Sequence, residues 1–134
     1  MKVIDFNAIK NLNRSPSQCV EWVEDAFSIK SECDLPPKIS QKLPNNIFIN
    51  TMPCIIPSIG IGGVKIVSRY PERVPSLDST LVIFDIATGE IIALMDADWI
   101  TTMRTGAVAA ISIKKLAKDN FHTIGMLGLG NTAR

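Results

Sequence analysis

His122 is the only imidazole in the 134-residue chain, and that scarcity removes several chemistries at once. A serine–histidine triad has a single candidate base, and a histidine-rich metal site has none. A hydrolase is therefore not expected. Cysteine is nearly as scarce: Cys19, Cys33 and Cys54 are odd in number, widely spaced and form no CxxC pair. That fits reduced thiols in a cytosol better than a disulfide or zinc framework. No apolar run approaches the ~20 residues of a membrane span, because Lys, Asp, Arg or Pro interrupts every stretch. The opening MKVIDFNAIKNLN alternates apolar and polar residues and lacks the apolar block of a signal peptide. Neither sign of charge is in excess. Fourteen Lys and Arg against 13 Asp and Glu leave a formal charge of +1, so neither nucleic acid nor an acidic membrane is expected as a partner. Repeats and low-complexity segments are absent as well.

What is present is ordinary for one soluble domain: 46% hydrophobic and 20% charged residues, in a chain long enough to bury a core. Ser15-Pro16-Ser17, followed by a run through Phe27, predicts a capped helix with Val20, Val23 and Phe27 on its apolar stripe. Candidate strands follow at 38–40, 47–52 and 64–70. They are separated by Pro44-Asn45-Asn46 and by Gly60, Gly62 and Gly63. Residues 81–86 and 90–95 form the clearest pair, an antiparallel hairpin turning at Thr88-Gly89. Both arms are almost continuously apolar, so both faces are expected to be covered. Asp96 or Asp98 can cap a long helix running to about Lys118, with Lys114, Lys115 and Lys118 near its C-terminal end, where cations suit the dipole. Residues 121–127 read as a buried-type strand running into Gly128-Leu129-Gly130-Asn131-Thr132-Ala133.

Three constellations carry possible chemistry. The glycine run matches G-x-G-x-x-[GA], in which glycines let the backbone approach a pyrophosphate held at the next helix N-terminus. A glycine-rich tail satisfies the pattern equally well. Lys65 alternates with Val67 and Arg69 on one strand face. If that face is covered, its ammonium needs an anion; a solvent-facing lysine on an edge strand is the plainer alternative. Helical spacing aligns Arg104 with Ile100, Val108 and Ile111, so it emerges from an apolar face. A guanidinium there can grip a carboxylate with two parallel hydrogen bonds or simply pair with a nearby Asp. Gly106 costs helix stability, which a close backbone approach would explain.

In order along the chain stand Pro36-Pro37-Lys38-Ile39, Asn50-Thr51-Met52-Pro53, Gly63-Val64-Lys65-Ile66-Val67 and Pro75-Ser76-Leu77. Then come Asp85-Ile86-Ala87-Thr88-Gly89-Glu90, Ala93-Leu94-Met95-Asp96, Thr102-Met103-Arg104-Thr105-Gly106-Ala107 and Gly128-Leu129-Gly130. This series resembles the ornithine cyclodeaminase and mu-crystallin family over nearly the whole chain. The resemblance implies that Lys65 and Arg104 hold a substrate α-carboxylate, with Lys38 as a third contact where many members have Arg. It implies that Thr105 touches a cofactor phosphate and that Gly128, Gly130 and Ala133 belong to a dinucleotide loop for NAD or NADP. The family's catalytic aspartate has no counterpart among these residues.

The resulting expectation is an α+β fold, a largely antiparallel sheet with flanking helices. Residues 1–118 form a substrate-binding and dimerisation domain, and 119–134 are the opening strand and glycine loop of a truncated dinucleotide-binding domain. By resemblance, the sheets of two subunits join in a barrel-like homodimer. The implied activity is cytoplasmic, NAD(P)-dependent conversion of a small amino or imino acid, with ornithine to proline plus ammonia as the named reaction. Alanine dehydrogenase and ketimine reductase are the alternatives within the family. A non-catalytic dimerising or small-molecule-binding module is the alternative outside it.

Overall fold

The computed structural model describes residues 1–133. β1 (Lys2–Ile4), α1 (Phe6–Lys10) and α2 (Pro16–Ser28) come first. β2 (Ile39–Leu43), β3 (Ile47–Ile56), β4 (Ile61–Arg69), β5 (Leu77–Asp85) and β6 (Ile91–Asp96) then lead into α3 (Asp98–Leu116). The strands make one six-stranded sheet in the order β1-β6-β5-β4-β3-β2. All neighbours are antiparallel except β1, which joins β6 in parallel. This is the α+β, largely antiparallel architecture that the pattern of the sequence predicts.

Local chemistry explains most of the boundaries. Ser15 Oγ accepts from the Gln18 amide at 3.2 Å while Gln18 Oε1 accepts from the Ser15 amide at 3.0 Å, so α2 starts in a closed capping box followed by Pro16. Asn45 and Asn46 both take left-handed backbone, φ 62 and 59, which asparagine tolerates, and they reverse the chain between β2 and β3. At the β5–β6 turn Asp85 Oδ1 accepts from the Ala87 and Thr88 amides at 2.8 and 2.9 Å, and Gly89 takes φ 74. Those amide bonds hold the Asp85 carboxyl below its ordinary pKa.

Several boundaries differ from expectation. Gly62 and Gly63 lie inside β4, and only Gly60, at φ 69, makes the turn. Space on β5 is the reason. The Phe84 ring occupies the position of a Gly62 Cβ, and a Gly63 Cβ would stand 2.8 Å from the Val82 carbonyl oxygen. A backbone oxygen cannot swing aside, so Gly63→Ala is expected to lower stability by about 1–3 kcal/mol, read as an earlier midpoint in urea denaturation. Ala97, not an aspartate, is the N-cap of α3. Asp96 Oδ1 still accepts from the Asp98 amide at 2.9 Å, but Asp98 reaches across to the Ser79 amide on β5 at 2.6 Å. The helix ends at Leu116, short of Lys118. β1 and α1 are not legible in the opening alternation; α1 is capped by Asp5, whose Oδ1 accepts from the Ala8 amide at 2.8 Å.

Residues 121–127, expected as a strand, form none, and they are exposed. An apolar strand is held by neighbours, and the six-stranded sheet offers this segment no edge pairing among the described residues.

The pairing register sorts the sheet into two faces. Ala93, Ser79, Val67 and Asn50 lie on one face and are all buried. The helices cover it: α3 packs on β5, α1 on β6, and α2 on α3, with Ile9, Cys19, Ala107 and Ile111 buried in this layer. The other face of the β5–β6 hairpin, with Val82, Phe84 and Leu94, is only part-buried within the chain, so one chain covers a single face of the hairpin. Among the described residues no helix is long and apolar enough to cross a membrane. The three cysteines are free thiols.

Candidate functional site

Because the helices gather over β5 and β6, the β3–β4 half of the covered face stays open. An open cleft of about 350 Å³ lies there. Its floor follows from the strand register. Lys65 sits between Met52 on β3 and Leu81 on β5, and two residues back along β4, Gly63 sits between Cys54 and Ile83. Leu35 closes one side, held by the antiparallel bridge in which the Asp34 and Ile55 amides and carbonyls exchange bonds of 3.0 and 2.9 Å. Among the described residues Lys65 is the sole charged residue in the lining.

A half-buried ammonium in apolar surroundings is poorly solvated. Burial, followed by the nearby positive charge of Arg104, brings the Lys65 pKa down from 10.5 to about 8. The second cause is geometric: Arg104 on α3 and Lys65 on β4 are close enough for their charges to repel, although 39 positions separate them in the chain. Arg104 continues the stripe of buried Ala107 and Ile111 but is itself exposed. Neither cation makes an ion pair among the described residues. Lys65 is thus an unpaired cation in an apolar cleft, with a second unpaired cation near enough to act on it.

Lys38 lies just before β2 and is exposed. It precedes the first register pair, Ile39 with Thr51, and is not among the residues lining the cleft. The expected residues at the far end meet on α3. Thr105 is half-buried, and its hydroxyl donates to the Thr101 carbonyl at 2.7 Å. One position on, a Cβ at Gly106 would stand 3.2 Å from the Thr132 carbonyl oxygen. The expected close backbone approach is therefore present, and it brings the glycine loop against α3 beside Thr105. Gly128 takes left-handed backbone at φ 85, the Ala133 amide donates to the Gly130 carbonyl at 3.0 Å, and nothing lies within 4 Å of a Cβ built at Gly128 or Gly130. The open space at the two glycines fits the approach of a dinucleotide's phosphates.

Met52, Leu81, Ile83, Cys54 and Leu35 are not among the residues that the sequence singles out. Alternation along β3 and β4 carries the signal for Met52, but it is readable only once the β3–β4 turn is placed at Gly60.

Comparison with known proteins adds three findings. A Δ1-pyrroline-2-carboxylate reductase of Bacillus cereus is 30% identical over an alignment taking in 100% of this chain and 43% of the relative. An L-lysine cyclodeaminase of Streptomyces rapamycinicus is 37% identical over 90 residues, covering 63% of this chain and 26% of the relative. A solved archaeal alanine dehydrogenase, a dimer with bound NAD, superposes with a TM-score of 0.88 at 27% identity, over 99% of this chain and 42% of that one. The chain thus spans less than half the length of the relatives it matches. The model of the Ornithine cyclodeaminase/mu-crystallin family matches residues 2–134. On a match that takes in almost every residue, the chain belongs to the ornithine cyclodeaminase/mu-crystallin family.

Proposed function

We propose that this chain is the carboxylate-binding part of a cytoplasmic, homodimeric enzyme that interconverts a small α-amino acid and its imino acid with NAD or NADP. One observation carries the reading: Lys65 is the sole charge lining an apolar cleft among the described residues, and Arg104, from a different element, is near enough to lower its pKa, neither having an ion-pair partner there. An α-carboxylate supplies the missing charge. Arg104 offers the planar fork that suits it, and Lys65 a point charge from below. Lys38 is a third contact; as a lysine it lacks the fork that an arginine would bring. Residues 1–118 form this substrate and dimerisation domain, and 119–134 open a nucleotide-binding one.

Thr105, Gly128, Gly130 and Ala133 would hold the cofactor's phosphates. When bound, the nicotinamide supplies hydride chemistry at the substrate's α-carbon. The chain's own task is to fix that carbon. A carboxylate held by two cations leaves the α-carbon little rotational freedom. Ornithine cyclodeamination, alanine dehydrogenation and ketimine reduction all need this clamp.

Assays of the full-length protein separate these reactions. L-alanine or L-proline with NAD or NADP is expected to form reduced nicotinamide, read by its near-ultraviolet absorbance. L-ornithine would instead release ammonia without net reduction. Neither signal with any of the three overturns the reading in favour of a non-catalytic module.

A further inference from the structure

The clamp fixes one end of the substrate, and the cleft around it bears on the other. From Lys65 the floor runs through Met52 and Leu81 to Ile83, Cys54 and Ile61, and no Asp or Glu lines it among the described residues. Two acids border this region. Asp85 pairs with Ile61 at the far end of the floor, where the Ala87 and Thr88 amides take up its carboxylate. Asp34, which acts on Cys54, is exposed. Asp34 pairs with Ile55, whose neighbours Cys54 and Ile56 line the cleft. Strand alternation therefore turns the Ile55 and Asp34 side chains to the opposite face. Burial raises the Cys54 pKa first, with Cys33 and Asp34 adding to the shift, so that thiol offers no negative charge either.

Resting on the carboxylate-clamp reading, we infer that this cleft selects an amino or imino acid with an uncharged, apolar side chain, and that Met52 is the residue that sets the selection. Met52 on β3 and Leu81 on β5 are Lys65's direct cross-strand partners, and Met52 is the longer and more adaptable of the two. Directly opposed side chains on an antiparallel pair stand about 5 Å apart at Cβ, so a ligand whose carboxylate is on Lys65 lays its next atoms on Met52. An ω-ammonium placed there meets a thioether and aliphatic carbon and loses water. Among the described residues the acid on that face, Asp85, lies at the far end of the floor with its carboxylate held by turn amides. The cations that attract the substrate's carboxylate repel its ω-ammonium as well. Ornithine, the substrate named from the resemblance, is disfavoured on this ground. Alanine, proline and cyclic imino acids are favoured. The polarizable, unbranched Met side chain suits a ring or a short aliphatic group equally.

The test uses an isosteric pair. L-norleucine and L-ornithine differ only in a terminal methyl against a terminal ammonium, and both carry the same α-carboxylate. Titration of each into the chain is followed by the methyl NMR signals of Met52, Leu81 and Ile83. L-norleucine is expected to bind about tenfold or more tightly than L-ornithine. Met52→Glu is expected to reverse the order, while Met52→Leu keeps it. Ornithine binding the native chain as tightly as norleucine overturns the inference by itself, with no need of the variants. The clamp reading still stands in that case, provided Lys65→Met abolishes both titrations. If neither amino acid moves the cleft signals at millimolar concentration, the clamp reading fails and takes this inference with it.

Discussion

Lys65→Met and Arg104→Met are each expected to weaken binding of an amino-acid carboxylate by roughly ten- to a hundredfold, the weight of a charged hydrogen bond. Methionine keeps the length of the lysine stem and removes only the charge, so the loss reads the cation and not the packing. Arg104→Lys should also weaken binding, because a point charge cannot make two parallel bonds to one carboxylate. The pH dependence gives an independent check. Lys65 titrates at about 8, lowered by burial first and Arg104 second. Only the ammonium attracts an anion, so carboxylate affinity should be full below pH 8 and fall as pH rises through it. Stability moves the other way. The folded pKa lies below the ordinary 10.5, so between about pH 8 and 10.5 the unfolded chain holds more protons and folding gains as pH rises. Opposite slopes of affinity and stability across that window, both flattened in Lys65→Met, are the expected pair of results. Affinity that is flat through pH 8 in the native chain would separate Lys65 from the anion.

Much of this site is legible in the sequence alone, and the reasons are physical. Arg104 stands on an apolar helical stripe, and three- and four-residue spacing survives any tertiary arrangement. Lys65 falls on the right strand face because alternation is likewise local. Gly106 advertises a close approach, and the Thr132 carbonyl supplies it. What the chain conceals is cross-strand. Gly62 and Gly63 resemble part of a turn, although they are small because the Phe84 ring and the Val82 carbonyl stand over them. With the turn misplaced, the register of β3 on β4 cannot be counted. Met52 then cannot be set opposite Lys65, and the cleft has no floor. Residues 121–127 mislead for the complementary reason. Their apolar composition suits a buried strand, but a strand exists only where another offers its edge.

Assembly should respond as strongly as binding does. On the sheet face away from the helices, Pro53, Val64, Val82, Leu94 and Val3 follow one another across five paired strands without a polar residue. Ile66 on the same face is 37% exposed and Val3 73%. An apolar row of this length, bordered on the same face by Thr51, Thr80 and Asp96, is unfavourable in water, and the sheet's own helices are committed to the opposite face. A second copy related by a two-fold axis presents the same surface to it. The union would bury about 1,600 Å² or more, with the apolar character of an obligate interface. The chain is therefore expected to sediment as a dimer at micromolar concentration. Val64→Lys places a charge at the centre of that row, and a second by symmetry on the partner. The monomer tolerates it because the side chain can reach water along an open face, but the dimer must desolvate both ammonium groups. The dissociation constant should rise by about a thousandfold or more, on the scale of several kcal/mol for burying unpaired charge. Deleting the chain from residue 121 onward is expected to leave the dimer intact. It should still reduce larger aggregates, since Leu127 and Leu129 are exposed outside this face. A native chain that sediments as a monomer across the micromolar range, or a Val64→Lys dimer as tight as the native one, would show that this face meets no second copy.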